Sequence, residues 1–329
     1  MPSIHDVAEK AGVSVATVSR VMNNSATVLP ETKQQVQAAI HALGYKPLRV
    51  QKQKKNPNIM VLVPDISNTF YSDILKGIGD YCIETDWNML LCNTNYSHRR
   101  EWEFMDMLKN KVAQGAIFLG PELKAEEMLS LSMQYPVVQC CEFIENIQVS
   151  HISIDNKTAA YEAMRHLLGL GHKKIGLLTS DNHFLSTRER EGAYYRALKE
   201  NSIEVNPNYV ISSHTYEYKS GLRAMMNLLQ LSDPPTAVFA ISDLMAIGAV
   251  SAALSSGMRV PDDMAVMGFD DIEFASMYTP SLTTVAQPRY DLGYNAMDML
   301  AKKIRGQSSH SDALFLEHEL KIRASTVKI

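Results

Sequence analysis

Two series of short, apolar, β-rich runs, each answered by a helical stretch, most constrain what this chain can fold into. "IMVLVPD" (59–65), "NMLLCN" (88–93) and "GAIFLG" (115–120) form the first; "KIGLLTS" (174–180), "AVFAIS" (237–242) and "MAVMGFD" (264–270) form the second. Runs without polar alternation suit strands buried on both faces, which means parallel sheets covered by helices. Helices are expected up to Trp87, around Tyr194 to Glu200 and from about Leu244. Two series of similar construction imply an α/β body of two doubly wound lobes, with a ligand in the cleft at the carboxyl ends of the strands. The runs close on Asp65, Asn93, Ser180, Ser242 and Asp270, although ordinary loop entry also places polar residues there.

At 329 residues and 46% hydrophobic, the chain has room for a large core and two or three domains. Met1 to Asp6 lead directly into a charged amphipathic pattern, and no apolar run approaches a membrane span. A cytoplasmic protein without membrane contact is expected. Cys82, Cys92, Cys140 and Cys141 have neither zinc-like spacing nor disulfide density and read as buried thiols. His98, His151, His166, His172 and His183 are scattered, so no metal and no cofactor is expected. There is no P-loop, no GxGxxG after the first strand, no HExxH and no GxSxG, which argues against an enzyme.

Charge is divided unevenly. Residues 1–58 hold eight Lys or Arg against three acids, a surplus of five, while the whole chain carries −4, leaving −9 on the remainder. A basic head on an acidic body points to a polyanionic partner for the head alone. Within it, Ile4, Val7, Ala8 and Ala11 follow helical spacing and Gly12 ends the run. Ser14 suits the N-cap of a second helix, with Thr17 where a capping box would have Glu or Gln; Val18, Val21 and Met22 form its inner face. A third helix fits Pro30 in its first turn, Val36, Ala39, Ile40 and Leu43 on one stripe and Gly44 as its stop. That is a helix-turn-helix, whose second helix would leave Val15, Ala16, Ser19 and Arg20 outside. Arg20 can fork onto a guanine, Val15 and Ala16 can meet a thymine methyl, and Thr17 or Ser19 can hold phosphate. Periodicity alone also fits a small helical cap with solvated charges.

"IHDVAEKAGVSVATVSRVMNNS" resembles the N-terminal motif of the lactose/galactose-repressor family of bacterial transcription regulators. By position, the resemblance implies base reading by Val15, Ala16 and Arg20, backbone contacts from Thr17, Ser19, Asn23 and Thr32, and a DNA contact from His5. Leu29 stands where a Ser cap is usual and Lys33 where Arg is common, departures that would lower affinity. "YKPLRVQKQKKNPN" (45–58) has five basic residues, no acids and two prolines, and lacks the family's Ala-Arg-x-Leu hinge helix. Its lysines would bind phosphate; Leu48 or Val50 as a minor-groove wedge is the alternative.

The body is similar to the same family's effector core, a periplasmic-binding-protein-like fold, through "GHKKIG", "PPTAVFAISDLMAIGA", "VPDDMAVMGFDD", "LTTVAQPRYDLGYNAM" and the closing "RAST". The resemblance implies a helix-turn-helix domain at 1–45, a basic linker at 46–58 and an effector-binding and dimerisation domain at 59–329. Its N-lobe would be about 59–156 and 287–316, its C-lobe about 157–286 and 317–329. It also implies an effector site of Phe70, Tyr71, Arg190, Tyr216, Ser242 and Asp270, suited to a polyhydroxylated or heterocyclic ligand. Arg188 and Arg190 lie two apart, leaving open which faces the cleft, and Cys141 stands where Asp or Asn is frequent. The expected function is a ligand-responsive repressor that binds a palindromic double-stranded DNA operator as a homodimer and answers a small-molecule effector, a nucleoside or a sugar, with the wording of "IDNKTAAYEA" and "LTTVAQPRY" favouring the nucleoside. "RASTVKI" leaves no room for a tetramer-forming coil. A solute-binding protein of the same core fold is the alternative.

Overall fold

The structure, a computed structural model, describes residues 2–22, 28–45, 56–308 and 311–327. Asn23 and most of the linker, with Leu48 and Val50, lie outside the described residues. The chain divides between Lys55 and Asn56 into two compact units.

The first unit holds α1 (Ile4–Ala11), α2 (Val15–Met22) and α3 (Pro30–Leu43). Ser3 and Asp6 close a reciprocal capping box on α1, satisfying two otherwise orphan N–H groups. Gly12 and Gly44 end α1 and α3 in the left-handed conformation at φ 64° and 59°, where a Cβ would be strained. α3 starts on Pro30 with Leu29 making no side-chain cap. Val7, Ala8, Val18, Val21, Val36 and Ala39 form the core of the three helices.

The second unit opens with β1 (Asn58–Val63), α4 (Phe70–Glu84), β2 (Asn88–Asn93), α5 (His98–Lys109), β3 (Ala116–Phe118), α6 (Ala125–Gln134), β4 (Val137–Cys140) and β5 (His151–Ile154). The chain then crosses to a second lobe with α7 (Asn156–Gly169), β6 (Ile175–Ser180), α8 (Leu185–Glu200), β7 (Val210–Ser213), α9 (Tyr218–Leu229), β8 (Ala237–Ala240), α10 (Asp243–Ser255), β9 (Ala265–Asp270), α11 (Glu273–Met277) and β10 (Thr283–Ala286). It returns through α12 (Arg289–Ile304) and β11 (Ala313–Leu316), and crosses once more to β12 (Glu319–Lys321).

The sheets run β11-β5-β4-β3-β1-β2 and β12-β10-β9-β8-β6-β7; β12 is antiparallel to β10 and the other pairs are parallel. Each sheet therefore has its first strand between its second and third, the switch point at which the following loops splay to opposite faces and leave a crevice. Alternation explains the unbroken apolar text of β1: Ile59, Val61 and Val63 enter one core, Met60 and Leu62 another. α8 begins at Leu185, earlier than its sequence pattern suggests, because its first turn, Leu185 to Thr187, is buried although two of those three residues are polar.

Candidate effector cleft and helix-turn-helix unit

Loops at the carboxyl ends of both sheets line a cleft whose empty space, counted out to its open mouth, is about 560 Å³. Phe70, Tyr71, Arg190, Tyr216, Ser242 and Asp270, the six residues singled out from the sequence, all line it. Asp65 lines an adjoining cavity, and Asn93 and Ser180 are in neither wall. Phe70 and Tyr71 begin α4 with their rings edge to face, centroids 5.1 Å apart. Tyr216, just before α9, shares a hydroxyl hydrogen bond with Thr187, and burial pushes its phenol up to about 12.

Arg190 settles which arginine faces the cleft. It is buried on α8, whereas Arg188 is exposed and pairs with Glu145. Arg190 Nε and Nη2 donate to Asn156 Oδ1 at 3.0 and 2.8 Å, and Nη1 donates to the Ile241 carbonyl at 2.7 Å. The guanidinium lies 3.7 Å from the centroid of Phe269 and its Nη1 is 3.6 Å from Asp270 Oδ1. Asp270 ends β9 at φ 124° and accepts from Gln287 Nε2 at 2.8 Å. Burial pushes its carboxyl up, against the pull of Arg190. Behind it, fully buried Asp243 accepts from Thr284 Oγ1 at 2.6 Å and from Ile272 N at 2.9 Å; burial and the neighbouring Asp270 push it up as well.

Glu142, Phe184, Ser186 and Gln287 also line the cavity and escaped the sequence reading. Glu142 follows β4 and accepts from Ser186 N at 3.2 Å and from Ser186 Oγ, joining the two lobes; burial pushes its carboxyl up. Forty-four residues separate these partners, so no local spacing announces them. Cys141, already conspicuous in the sequence, also lines the cavity. Among the described residues no group of three metal-ligating side chains gathers, and no helix is long and apolar enough to cross a membrane.

In the first unit, Ser14 accepts from Thr17 N at 3.2 Å, and the two hydroxyls share a 2.9 Å bond, so Thr17 helps cap α2 from inside. Ala16, Arg20 and His5 are exposed; Ser19 and Thr32 are half-buried. Val15 and Ser19 depart from the expected pattern: both are half-buried, and Val15 packs its apolar side chain against the three-helix core.

Comparisons with known proteins agree with both units. Residues 3–47 match the model of bacterial regulatory proteins of the lacI family, and residues 164–326 match a periplasmic binding protein-like domain. The HTH-type transcriptional repressor CytR of Escherichia coli (strain K12) is 36% identical over 98% of this chain and 96% of its own length. Catabolite control protein A of Priestia megaterium is 34% identical over 98% and 99%. Among solved structures, the lac repressor dimer bound to operator and the anti-inducer ONPF aligns with a TM-score of 0.76 at 28% identity, over 99% of each chain. A complex of the regulator CelR with cellobiose aligns at 0.73 and 29%, over 99% of this chain and 100% of that one.

Proposed function

The chain belongs to the lacI family of bacterial regulatory proteins and is a ligand-responsive DNA-binding regulator of transcription, and from that premise we propose a homodimeric repressor of palindromic operators whose effector is an uncharged nucleoside. The reading is carried by one observation: the Phe70, Tyr71, Arg190, Tyr216, Ser242 and Asp270 side chains meet in a single cavity between two lobes. Rings of Phe70, Tyr71, Phe184 and Tyr216, with Leu119, Leu244 and Ile272, offer flat apolar surface to a heterocycle. Ser242, Asp270 and Gln287 supply the polar groups that would grip ribose hydroxyls.

Charge narrows the ligand further. Arg190 is the only cation among the residues lining the cavity; three of its N–H groups already donate to Asn156 and Ile241, and its charge is paired with Asp270 at 3.6 Å. Glu142 and Asp270 add two carboxyl groups. A phosphorylated sugar or a nucleotide would enter without a free counter-charge, at the cost of a desolvated anion.

His5, Val15, Ala16, Thr17, Ser19, Arg20, Asn23 and Thr32 are assigned to the operator. The exposed Ala16 and Arg20 are the base-reading pair. Three chain crossings join the lobes, so ligand would rotate one lobe on the other and alter how two heads dock on two half-sites, a coupling of about 1–3 kcal/mol.

The test is thermal unfolding against nucleosides, free bases, sugars and sugar phosphates. A nucleoside at about 100 times its Kd should add about 2.7 kcal/mol to native stability. Stabilisation by sugar phosphates alone would overturn the assignment, and stabilisation by neutral sugars alone would leave the cleft but change its ligand class.

A further inference from the structure

Cys140 and Cys141 are the feature of the cleft that nucleoside binding leaves unused. Successive residues of a strand send their side chains to opposite faces, so adjacent cysteines ordinarily hold their sulfurs apart. Here Cys140 ends β4, and Cys141 turns at φ 71°, a left-handed conformation uncommon for a residue with a Cβ. The turn brings the two Sγ atoms to 3.6 Å. It is held from both sides by β5: Cys141 N donates to the Ile152 carbonyl at 2.9 Å, and Ser153 Oγ donates to the Cys141 carbonyl at 2.7 Å. Cys140 is wholly buried, whereas Cys141 lines the cavity.

We propose that Cys140 and Cys141 form a vicinal dithiol that captures trivalent arsenic compounds in the wall of the cleft. An arsenoso compound, R–As=O, condenses with the two thiols. Two As–S bonds replace the As=O bond, both thiol protons leave on the oxygen as one water, and arsenic stays trivalent, so no oxidant is consumed. Two competing fates of the pair are disfavoured by geometry. Adjacent Cα atoms lie about 3.8 Å apart across a trans peptide, short of the roughly 4.4–6.8 Å that a disulfide prefers, so a disulfide here would be strained and readily reduced. A tetrahedral zinc site needs further ligands, and among the described residues no group of three gathers. The neighbouring Cys140 thiol and burial also hold the Cys141 thiol well above the usual range, which slows single-thiol alkylation.

Capture depends on the dithiol alone; its effect on ligand binding rests on the nucleoside reading above. The probe is phenylarsine oxide, added to the full-length protein and read by intact mass. One adduct per chain is expected, retained in excess glutathione and removed by a small dithiol. Peptide mapping of the wild-type protein should place it on the segment carrying Cys140 and Cys141. Cys141→Ser and Cys140→Ser should each lose it, while Cys82→Ser and Cys92→Ser keep it. An adduct that maps elsewhere, that glutathione strips, or that fails to form on folded protein overturns the proposal. For a nucleoside that raises the unfolding temperature of unmodified protein, the loaded protein should show no shift; a persisting shift would remove the arsenical from the ligand's path. If no nucleoside stabilises the unmodified protein, the nucleoside reading fails while the adduct is judged by its own mass.

Discussion

Arg190 holds a charge inside the protein by spending its donors on fixed acceptors, and a lysine could not repeat that fork. Arg190→Lys is expected to abolish the ligand's effect on operator affinity while DNA binding without ligand persists, and to cost about 3–5 kcal/mol if Asp270 is left uncompensated. Operator affinity with and without ligand, and urea unfolding, measured on the same variant separate the two effects. Glu101 makes a second case. Wholly buried on α5, it accepts from the backbone N–H groups of Glu122 and Leu123 at 2.9 and 3.0 Å, and burial pushes its carboxyl up to about 8. The native state therefore keeps a proton that the unfolded chain has already lost, and stability should fall as pH rises from about 4.5 to about 8. Glu101→Gln keeps an acceptor for both N–H groups and should flatten that decline, by an amount of order a few kcal/mol, in urea midpoints taken across the window. At this scale legibility is divided. Arg190 and Asp270 stand at strand ends or on the following helix in text that resembles a known family, so they could be named from sequence. Glu142 and Ser186 could not, since their meeting depends on the approach of two lobes.

Elements pack here through paired glycines, once in each lobe. A Cβ on Gly77 would come within 2.1 Å of the Tyr290 carbonyl and one on Gly293 within 2.0 Å of the Ile74 carbonyl, so α4 and α12 touch backbone to backbone. Gly221 and Gly248 do the same for α9 and α10, at 1.9 Å from Met245 O and 2.1 Å from Tyr218 O. Neither contact can relax through a side chain. Gly248→Ala should cost at least the roughly 1–3 kcal/mol typical of overpacking, read as a lowered urea midpoint, while Gly192→Ala, in open space on α8, should be neutral or slightly stabilising. β1, β3, β6, β8 and β9 were legible because burial on both faces leaves continuous apolar text, whereas the inner strands β4, β5 and β10, four residues each and interrupted by Gln139, Ser153 and Thr283–Thr284, were not singled out. β7, β11 and β12 were not: "VISS", "ALFL" and "ELK" are three or four residues long and half-covered at best, and edge strands carry little pattern of their own.

For the molecule as a whole, the uneven charge distribution and the exposed Arg20 should govern DNA binding. Arg20→Ala is expected to weaken a cognate operator by about 1–3 kcal/mol and to relax preference at one base pair, whereas affinity for any duplex should fall steeply with salt. Fluorescence anisotropy on cognate and scrambled operators at several salt concentrations checks both, and unchanged discrimination would remove Arg20 from base reading. The two-lobed architecture was legible from the repeated strand-helix series; the sense in which ligand moves the lobes was not, because rotation is a property of the crossings and no residue pattern encodes it.

Those crossings also set an order of assembly on the ribosome. The first lobe lacks its helix α12, whose Tyr290 hydroxyl reaches Asp80 across 210 residues, and its edge strand β11 until nearly the whole chain has been made. The second lobe waits longer still for β12. The three-helix unit, contiguous from Ile4 to Leu43, waits for nothing. At about 5–20 residues per second, roughly 15–60 s of translation separates its completion from that of the cleft. During that interval a nascent chain carries a finished helix-turn-helix and no pocket with which to sense a ligand.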